Sequence, residues 1–292
     1  MKQYSPPVAK QRGMAIISAL LIAAVVAVIA GAMLTRQTVF TRSLEAEQMR
    51  TQGQWLLQGG LERSRQMLWE ARQKDVLTRL DQPWARAQGG TFEGRVEDEQ
   101  GKFNLRNLVN RQRVDAEQLQ SFERLCRLIG VDPAVSRRIS QRVIASYAQL
   151  DMPAKYPMLR SLDDLSGVEG LDAAVLQRMQ TYISVLPDMT WVNGNTARAE
   201  VLSAVVPQLS LSQAQALVAE RDGGHWFINR GDFVNRLHLP QVAVDSVQVG
   251  ITSEWFRLQG QARQEQRRVT LDALLHRPEN RRPQVIWSRV GV

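Results

Sequence analysis

The chain has 292 residues, with 37 Lys and Arg against 29 Asp and Glu, a formal net charge of +8 and one cysteine, Cys126. A single cysteine excludes an intrachain disulfide and neither supports nor excludes an oxidising compartment. Set among Phe122, Leu125 and Ile129, Cys126 reads as a small buried apolar residue.

From Met14 to Leu34 the sequence is MAIISALLIAAVVAVIAGAML, 21 uncharged residues in which Ser18 carries the only hydroxyl. About 20 apolar residues cross a hydrocarbon core of roughly 30 Å as one helix. A soluble helix keeps a wet face, and this segment has none. Lys2, Lys10 and Arg12 precede it with no acidic residue between. That asymmetry keeps the N-terminus cytoplasmic and predicts translocation of the residues beyond Leu34.

The junction Arg12-Gly13-Met14 puts a small residue before the apolar run, behind a basic leader, whereas a secretory signal is cut after its apolar region. On the residues alone, an uncut single-pass anchor also fits. The order resembles the class III leader of type IV prepilins and pseudopilins. That resemblance implies cleavage between Gly13 and Met14 by prepilin peptidase, methylation of the new N-terminus and retention of the helix. Loss of the three basic leader residues would lower the charge to +5. Most pilins carry a glutamate at the fifth mature position; here it is Ser18. A carboxylate in hydrocarbon needs a partner, which in pilins is a neighbouring N-terminal ammonium. Its absence resembles the minor pseudopilin of type II secretion called general secretion pathway protein K. A subunit with no neighbour above it has no use for that charge.

The 258 residues after Leu34 suffice for one large domain or two of ordinary size. No proline interrupts Arg36 to Lys74, and Leu57, Leu61, Ser64 and Leu68 share one helical face. Met14 to Lys74 would measure roughly 90 Å as one helix. Gly53, Gly59 and Gly60 each cost about 1 kcal/mol relative to alanine, so bending or fraying is expected there, and two helices hinged at Gly59-Gly60 is the alternative.

Asp81-Gln82-Pro83-Trp84 and Gly89-Gly90 mark a loop, and Thr91 to Val96 alternates as a half-exposed strand. A turn at Gln100-Gly101 and a second short strand through Phe103-Asn104-Leu105 should come next. This acidic-Gly-Phe-Asn-Leu segment also resembles the protein K family. Residues 112 to about 240 read as helical. Leu119, Phe122, Leu125 and Ile129 form one stripe, and Asp132-Pro133 opens a helix through Val135, Ile139, Val143 and Tyr147. Ser161 with Asp164, and Ser212 with Gln215, resemble capping boxes. Beyond Gln248 the period becomes two: Trp255 to Leu258, Val269 to Leu275 and Val285 to Trp287 predict three strands.

Strands on both sides of a helical stretch predict an α+β fold, a single antiparallel sheet carrying a helical insertion. The resemblance implies a pilin-like fold with a long N-terminal helix, a small antiparallel sheet and a large all-α insert of helix-hairpin-helix or SAM-like kind. The expected divisions are a leader at 1–13, the transmembrane part of the helix at 14–34, pilin-like segments at 35–111 and 248–292, and the inserted domain at 112–247.

Leu165 to Leu171 resembles a helix-hairpin-helix turn, and Trp191 to Ala197 the entry to another, as in membrane-anchored DNA receptors. Such turns hold phosphate through backbone N–H groups. Between Ser161 and Thr190, however, Asp163, Asp164, Glu169, Asp172 and Asp188 face Arg178 alone. A surface of that sign repels nucleic acid, so no nucleic-acid partner is expected and the DNA receptor is the second reading. Eight arginines between Arg257 and Arg289 stand against Glu265, Asp272 and Glu279. They form either a solvated sheet face or a docking surface for an acidic subunit or anionic head groups.

No enzyme motif is present. His225, His238 and His276 are scattered, and there is no HExxH, nucleophile elbow, P-loop or dinucleotide fingerprint. Leu165 occupies a position where an EF-hand needs oxygen. The resemblance makes calcium possible, but the loop after Tyr147 holds only Asp151, so no cofactor or ligand is assigned. By resemblance the chain is a Gram-negative inner-membrane protein with a periplasmic head. Its implied partners are other minor pseudopilins (H, I and J types), the major pseudopilin, prepilin peptidase and membrane lipid, and its implied place is the pseudopilus tip. There the insert would block further stacking. Ala15, Ser18, Ala19, Ala23, Ala24, Ala27 and Gly31 supply the small residues with which membrane helices pack.

Overall fold

The computed structural model describes residues 11–150, 152–264 and 267–291. The chain divides into two units, Met1–Trp55 and Leu56–Val292.

The described part of the first unit is helical, the N-terminal portion of α1 (Gln11–Lys74). Its apolar stretch from Met14 is buried against nothing. Water does not tolerate so long an apolar surface, and the length fits a transmembrane anchor. Hydroxyls along the helix donate to carbonyls one turn back, Thr35 Oγ1 to Gly31 O at 2.9 Å and Thr38 Oγ1 to Leu34 O at 2.8 Å.

In the second unit, the last turns of α1 bury Leu57, Leu61, Ser64, Leu68 and Ala71, the expected face. They pack on a four-stranded antiparallel sheet of β1 (Phe92–Asp98), β8 (Trp255–Gln264), β9 (Arg267–His276) and β10 (Gln284–Gly291), in the order β1-β8-β9-β10. The register pairs Phe92 with Ala262, Val96 with Leu258 and Phe256 with Leu275, so one face carries the apolar side chains. The three predicted C-terminal strands are β8, β9 and β10.

The expected fraying at the glycines is absent: the helical assignment of α1 is continuous through Gly53, Gly59 and Gly60. The reason at Gly60 is packing. A Cβ there would lie closer than 3.0 Å to ring atoms of Phe92, and the same ring closes off the Cβ positions of Gly94 and Gly260. Three glycines thus form the seat of one buried phenylalanine.

Between β1 and β8 in the chain lie β2 (Phe103–Asn104), β3 (Val109–Asn110), β4 (Arg113–Val114), α2 (Ala116–Leu128), α3 (Pro133–Ile144), α4 (Ala173–Met179), β5 (Ile183–Ser184), β6 (Val192–Asn193), α5 (Ala199–Val205), α6 (Leu211–Asp222), α7 (Arg230–Arg236) and β7 (Val249–Gly250). The second strand of the expected strand-turn-strand does not return along β1. After a 3₁₀ turn at Glu99–Gly101, β2 pairs in parallel with β5, while β1 takes β8. Phe103, Leu105 and Leu108 are buried with the helices in a second core that also holds Phe122, Ile139, Leu202 and Phe233. That burial pulls the strand away from the sheet.

Asp115 and Asp132 cap α2 and α3, with Pro133 at the first helical position. α3 ends at Ile144 rather than reaching Tyr147, which lies under the Arg106 guanidinium at 4.5 Å. The Ser161–Asp164 box is present but opens a 3₁₀ turn, Leu162–Leu165. The other box is Ser210 with Gln213, two residues before the expected pair. Ser210 N–H donates to Gln213 Oε1 at 3.0 Å, directly after the turn in which Gln208 takes φ +67.

Candidate functional site

Two regions hold the residues of interest, one in each unit. On α1, Ala15, Ala19, Ala23, Ala27 and Gly31 recur every fourth residue, forming one ridge of exposed small side chains, with Ser18 beside it. A Cβ on Gly31 would meet nothing within 4 Å. Ser18 Oγ donates to Met14 O at 2.6 Å, so its hydroxyl is satisfied inside its own helix and needs no partner in hydrocarbon. Gly13 and Met14 both lie in α1, Met14 exposed. Lys2 and Lys10 lie outside the described residues.

The second region is a polar joint that sequence reasoning did not find. At the end of β1, buried Asp98 receives four hydrogen bonds. Ser253 Oγ and Thr196 Oγ1 donate to Oδ2 at 2.6 Å each, Asn193 Nδ2 donates to it at 3.0 Å, and Gln100 N–H donates to Oδ1 at 2.9 Å. Asn193 Nδ2 also donates to Thr78 O at 3.1 Å. Thr78 Oγ1 accepts from Ser253 N–H at 3.0 Å and from the fully buried Arg277 at 2.7 Å. Arg277 further donates to Ser253 O at 2.7 Å and Leu68 O at 3.2 Å, and its guanidinium lies 4.6 Å from the Phe256 ring centroid. One carboxylate therefore ties the loop after α1, the end of β1, the entry to α5 and the approach to β8. Gly101 belongs to this joint, because a Cβ there would run into Thr196.

Burial pushes the Asp98 carboxyl above the ordinary carboxylate range, and its four donors offset part of that rise. Arg277 is lowered to about 10 by burial, with Asp98 pulling the other way. Beside them Lys102 Nζ lies 2.8 Å from Glu99 and 3.0 Å from Glu97. Burial works against the ammonium, but the two carboxylates outweigh it and raise its pKa. Burial raises Glu99 despite Lys102.

Gln100 Oε1 accepts from Glu254 N–H at 2.6 Å. Asn104 and Asn107 reach the loop between β5 and β6: Asn104 Nδ2 donates to Asp188 O at 2.8 Å, and Asn107 Nδ2 to Thr190 O at 2.7 Å. The polar residues of the Glu97-to-Leu108 segment are thus structural ties.

In the hairpin-like turn, Gly170 takes φ +82, and Glu169 O accepts from Arg138 Nη1 at 3.2 Å. Trp191 to Ala197 contributes Asn193 and Thr196 to the joint. Among the described residues no group of three His, Cys, Asp or Glu is placed to hold a metal ion; Asp151 lies outside them. Of the C-terminal arginines, Arg257 is bidentate to Asp272 at 2.7 and 2.6 Å, Arg277 is buried, and Arg289 lies 3.3 Å from Asp163. Arg281 and Arg282 are exposed, and Glu265 lies outside the described residues.

An unburied apolar helix, continued into a unit where its last turns pack on a small antiparallel sheet, defines a pilin-like architecture, and the apolar helix fits a membrane anchor. Family models described as type II secretion system protein K match residues 101–188 and 192–252. Type II secretion system protein K of Pseudomonas aeruginosa is 26% identical over 96% of this chain and 93% of its own; that of Pectobacterium carotovorum is 29% identical over 87% and 89%. A chain in the crystal structure of the GspK-GspI-GspJ complex from enterotoxigenic Escherichia coli shares the fold, with a TM-score of 0.66, 16% identity, and coverage of 85% of this chain and 99% of that one. The chain belongs to the protein K family of the type II secretion system, and its role is that of a minor pseudopilin in protein secretion.

Proposed function

We propose that this minor pseudopilin occupies the tip of the pseudopilus, where it initiates or caps assembly. The observation that carries this reading is Ser18: its hydroxyl is satisfied by Met14 O, in an apolar helix with no carboxylate to receive a subunit above. The ridge from Ala15 to Gly31 packs against neighbouring helices in the membrane. The helical segment, proposed as a domain inserted over 112–247 between the pilin-like segments 35–111 and 248–292, obstructs stacking. Residues 1–13 are removed by prepilin peptidase at Gly13-Met14, residues 14–34 hold the protein in the inner membrane and the head is periplasmic. The relative crystallised as a GspK-GspI-GspJ complex supports I- and J-type minor pseudopilins as partners here, with the H type and the major pseudopilin below them. This role requires no cofactor, metal or nucleic acid, and no catalysis.

Co-expression with a prepilin peptidase followed by N-terminal sequencing tests the processing step. Mature chains should begin at Met14, and a Gly13→Leu variant should accumulate uncut. Recovery only of chains beginning at Met1 would defeat the reading. Gold labelling of assembled pseudopili tests the position: label along the shaft contradicts a terminal place.

A further inference from the structure

At one border of the sheet, β10 has a hydrogen-bonded neighbour only on its β9 side among the described residues. Such an edge offers a row of unpaired N–H and C=O groups, which proteins ordinarily shorten, charge or cover. Here the edge is eight residues long and carries apolar side chains on both faces. Val285 and Val290, opposite Leu275 and Leu271, are 37% and 53% exposed, and Ile286, at the bulge, is 43% exposed. Alongside runs a groove of about 760 Å³ whose lining includes Met158, Leu159, Leu186, Pro187, Ile286 and Trp287. Met158 is exposed although apolar.

The charge around this border has one sign in excess. Arg281 and Arg282 precede the strand, and Arg142 and Arg160 line the groove; none of the four side chains has a carboxylate partner among the described residues. The acids present are engaged: Asp164 accepts from the N–H groups of Arg160 and Ser161, and Asp163 faces Arg289. A second copy of this chain would bring arginines against arginines. We propose that the β10 border is a docking site for an extended acidic segment of another protein, which adds to the sheet as a fifth strand and lays alternate apolar side chains in the groove. Backbone pairing supplies affinity, the groove fixes register, and the arginines without a carboxylate partner select for acid.

The test uses the full chain in detergent micelles and a fluorescent decapeptide of alternating valine and glutamate. Anisotropy should show saturable binding, and hydrogen exchange should slow at the amides of residues 284–291. The valine–lysine counterpart, and Arg281→Glu/Arg282→Glu with the acidic peptide, should each bind at least about tenfold more weakly. These arginines are exposed and unpaired, so the double variant should keep its fold, checked by circular dichroism. No binding up to about 1 mM, equal binding of the lysine peptide, or binding without protection of β10 overturns the proposal. So does self-association that protects the same amides without peptide, which would assign the border to a second copy.

Discussion

Gly59 and Gly60 are adjacent in one helix, and alanine should act on them with opposite sign. In an exposed helix interior, Gly→Ala gains about 1 kcal/mol from backbone entropy. At Gly59 a Cβ meets nothing within 4 Å, so that gain should appear in full. At Gly60 a Cβ would sit closer than 3.0 Å to three atoms of the Phe92 ring. The ring has little freedom to move aside, since Gly94 and Gly260 already lie against it and Glu93 O lies 3.1 Å from the Cβ position of Gly260. Overpacking of this kind costs about 1–3 kcal/mol, and confinement on three sides places it near the upper end. The net effect of Gly60→Ala is a loss of about 1–2 kcal/mol, and the two neighbours should differ by about 2–3 kcal/mol. Urea unfolding of the full chain in detergent micelles, followed by tryptophan fluorescence, reads this as a change in midpoint at constant slope. Phe92→Leu should relieve much of the Gly60→Ala penalty, giving a coupling energy of about 1 kcal/mol or more in a double-mutant cycle. Equal shifts for the two alanines, or an unaltered penalty in the Phe92→Leu background, would refute the three-glycine seat.

The Asp98 carboxyl has a folded pKa above its unfolded value near ~4. The stability it contributes is therefore complete below that value and is lost as pH rises through the folded pKa. Urea midpoints of the wild type minus those of Asp98→Asn should fall as pH rises above about 4, and a rise would contradict the assigned direction. Lys102→Met should destabilise by about 3 kcal/mol, because Glu99 is left buried without its cation. Adding Glu99→Met should recover most of the loss, whereas additive losses would count against the pair. Cys126 is buried and its thiol is pushed up to about 11 by that burial. A disulfide reagent at about pH 8 should modify it only on unfolding; rapid labelling of folded protein would show the site to be open.

The elements governed by periodicity were legible in the chain. The apolar run, the buried face from Leu57 to Leu68, the α2 stripe and the alternation of β8 and β9 each arise from one segment's own pattern. The features that stayed hidden depend on residues far apart. Phe92 explains Gly60, but 32 residues separate them, and helix propensity alone points to a bend. The acidic-Gly-Phe-Asn-Leu segment is visible as a pattern yet reads as one more strand of the single sheet, because its partners Asn193, Thr196 and Ser253 carry no periodic signal. Arg277 is one arginine among eight until its burial sets it apart. The capping box falls at Ser210 rather than Ser212 for a local reason: Pro207 and the left-handed Gln208 finish the turn earlier than serine spacing suggests.

The polar joint explains why the sheet and the helical segment meet in one arrangement. Each has its own apolar cluster, and apolar contact is non-directional, so burial alone would tolerate many offsets between them. A carboxylate receiving four donors does not. Shifting the loop that carries Asn193 and Thr196 by a single residue would leave Asp98 short of two donors in a buried site, at about 1–3 kcal/mol for each unmet group. Thr78 extends the same constraint to the loop after α1, through Asn193 and Arg277. The joint thereby ties the helical segment to the sheet and to the chain leaving the long helix, beside the Arg289–Asp163 contact and the small apolar cluster of Leu186, Trp255 and Leu274. Under the proposed role, a segment obstructing a neighbouring subunit has to hold its position under load, and directional bonds to a buried carboxyl supply stiffness that non-directional apolar contact does not.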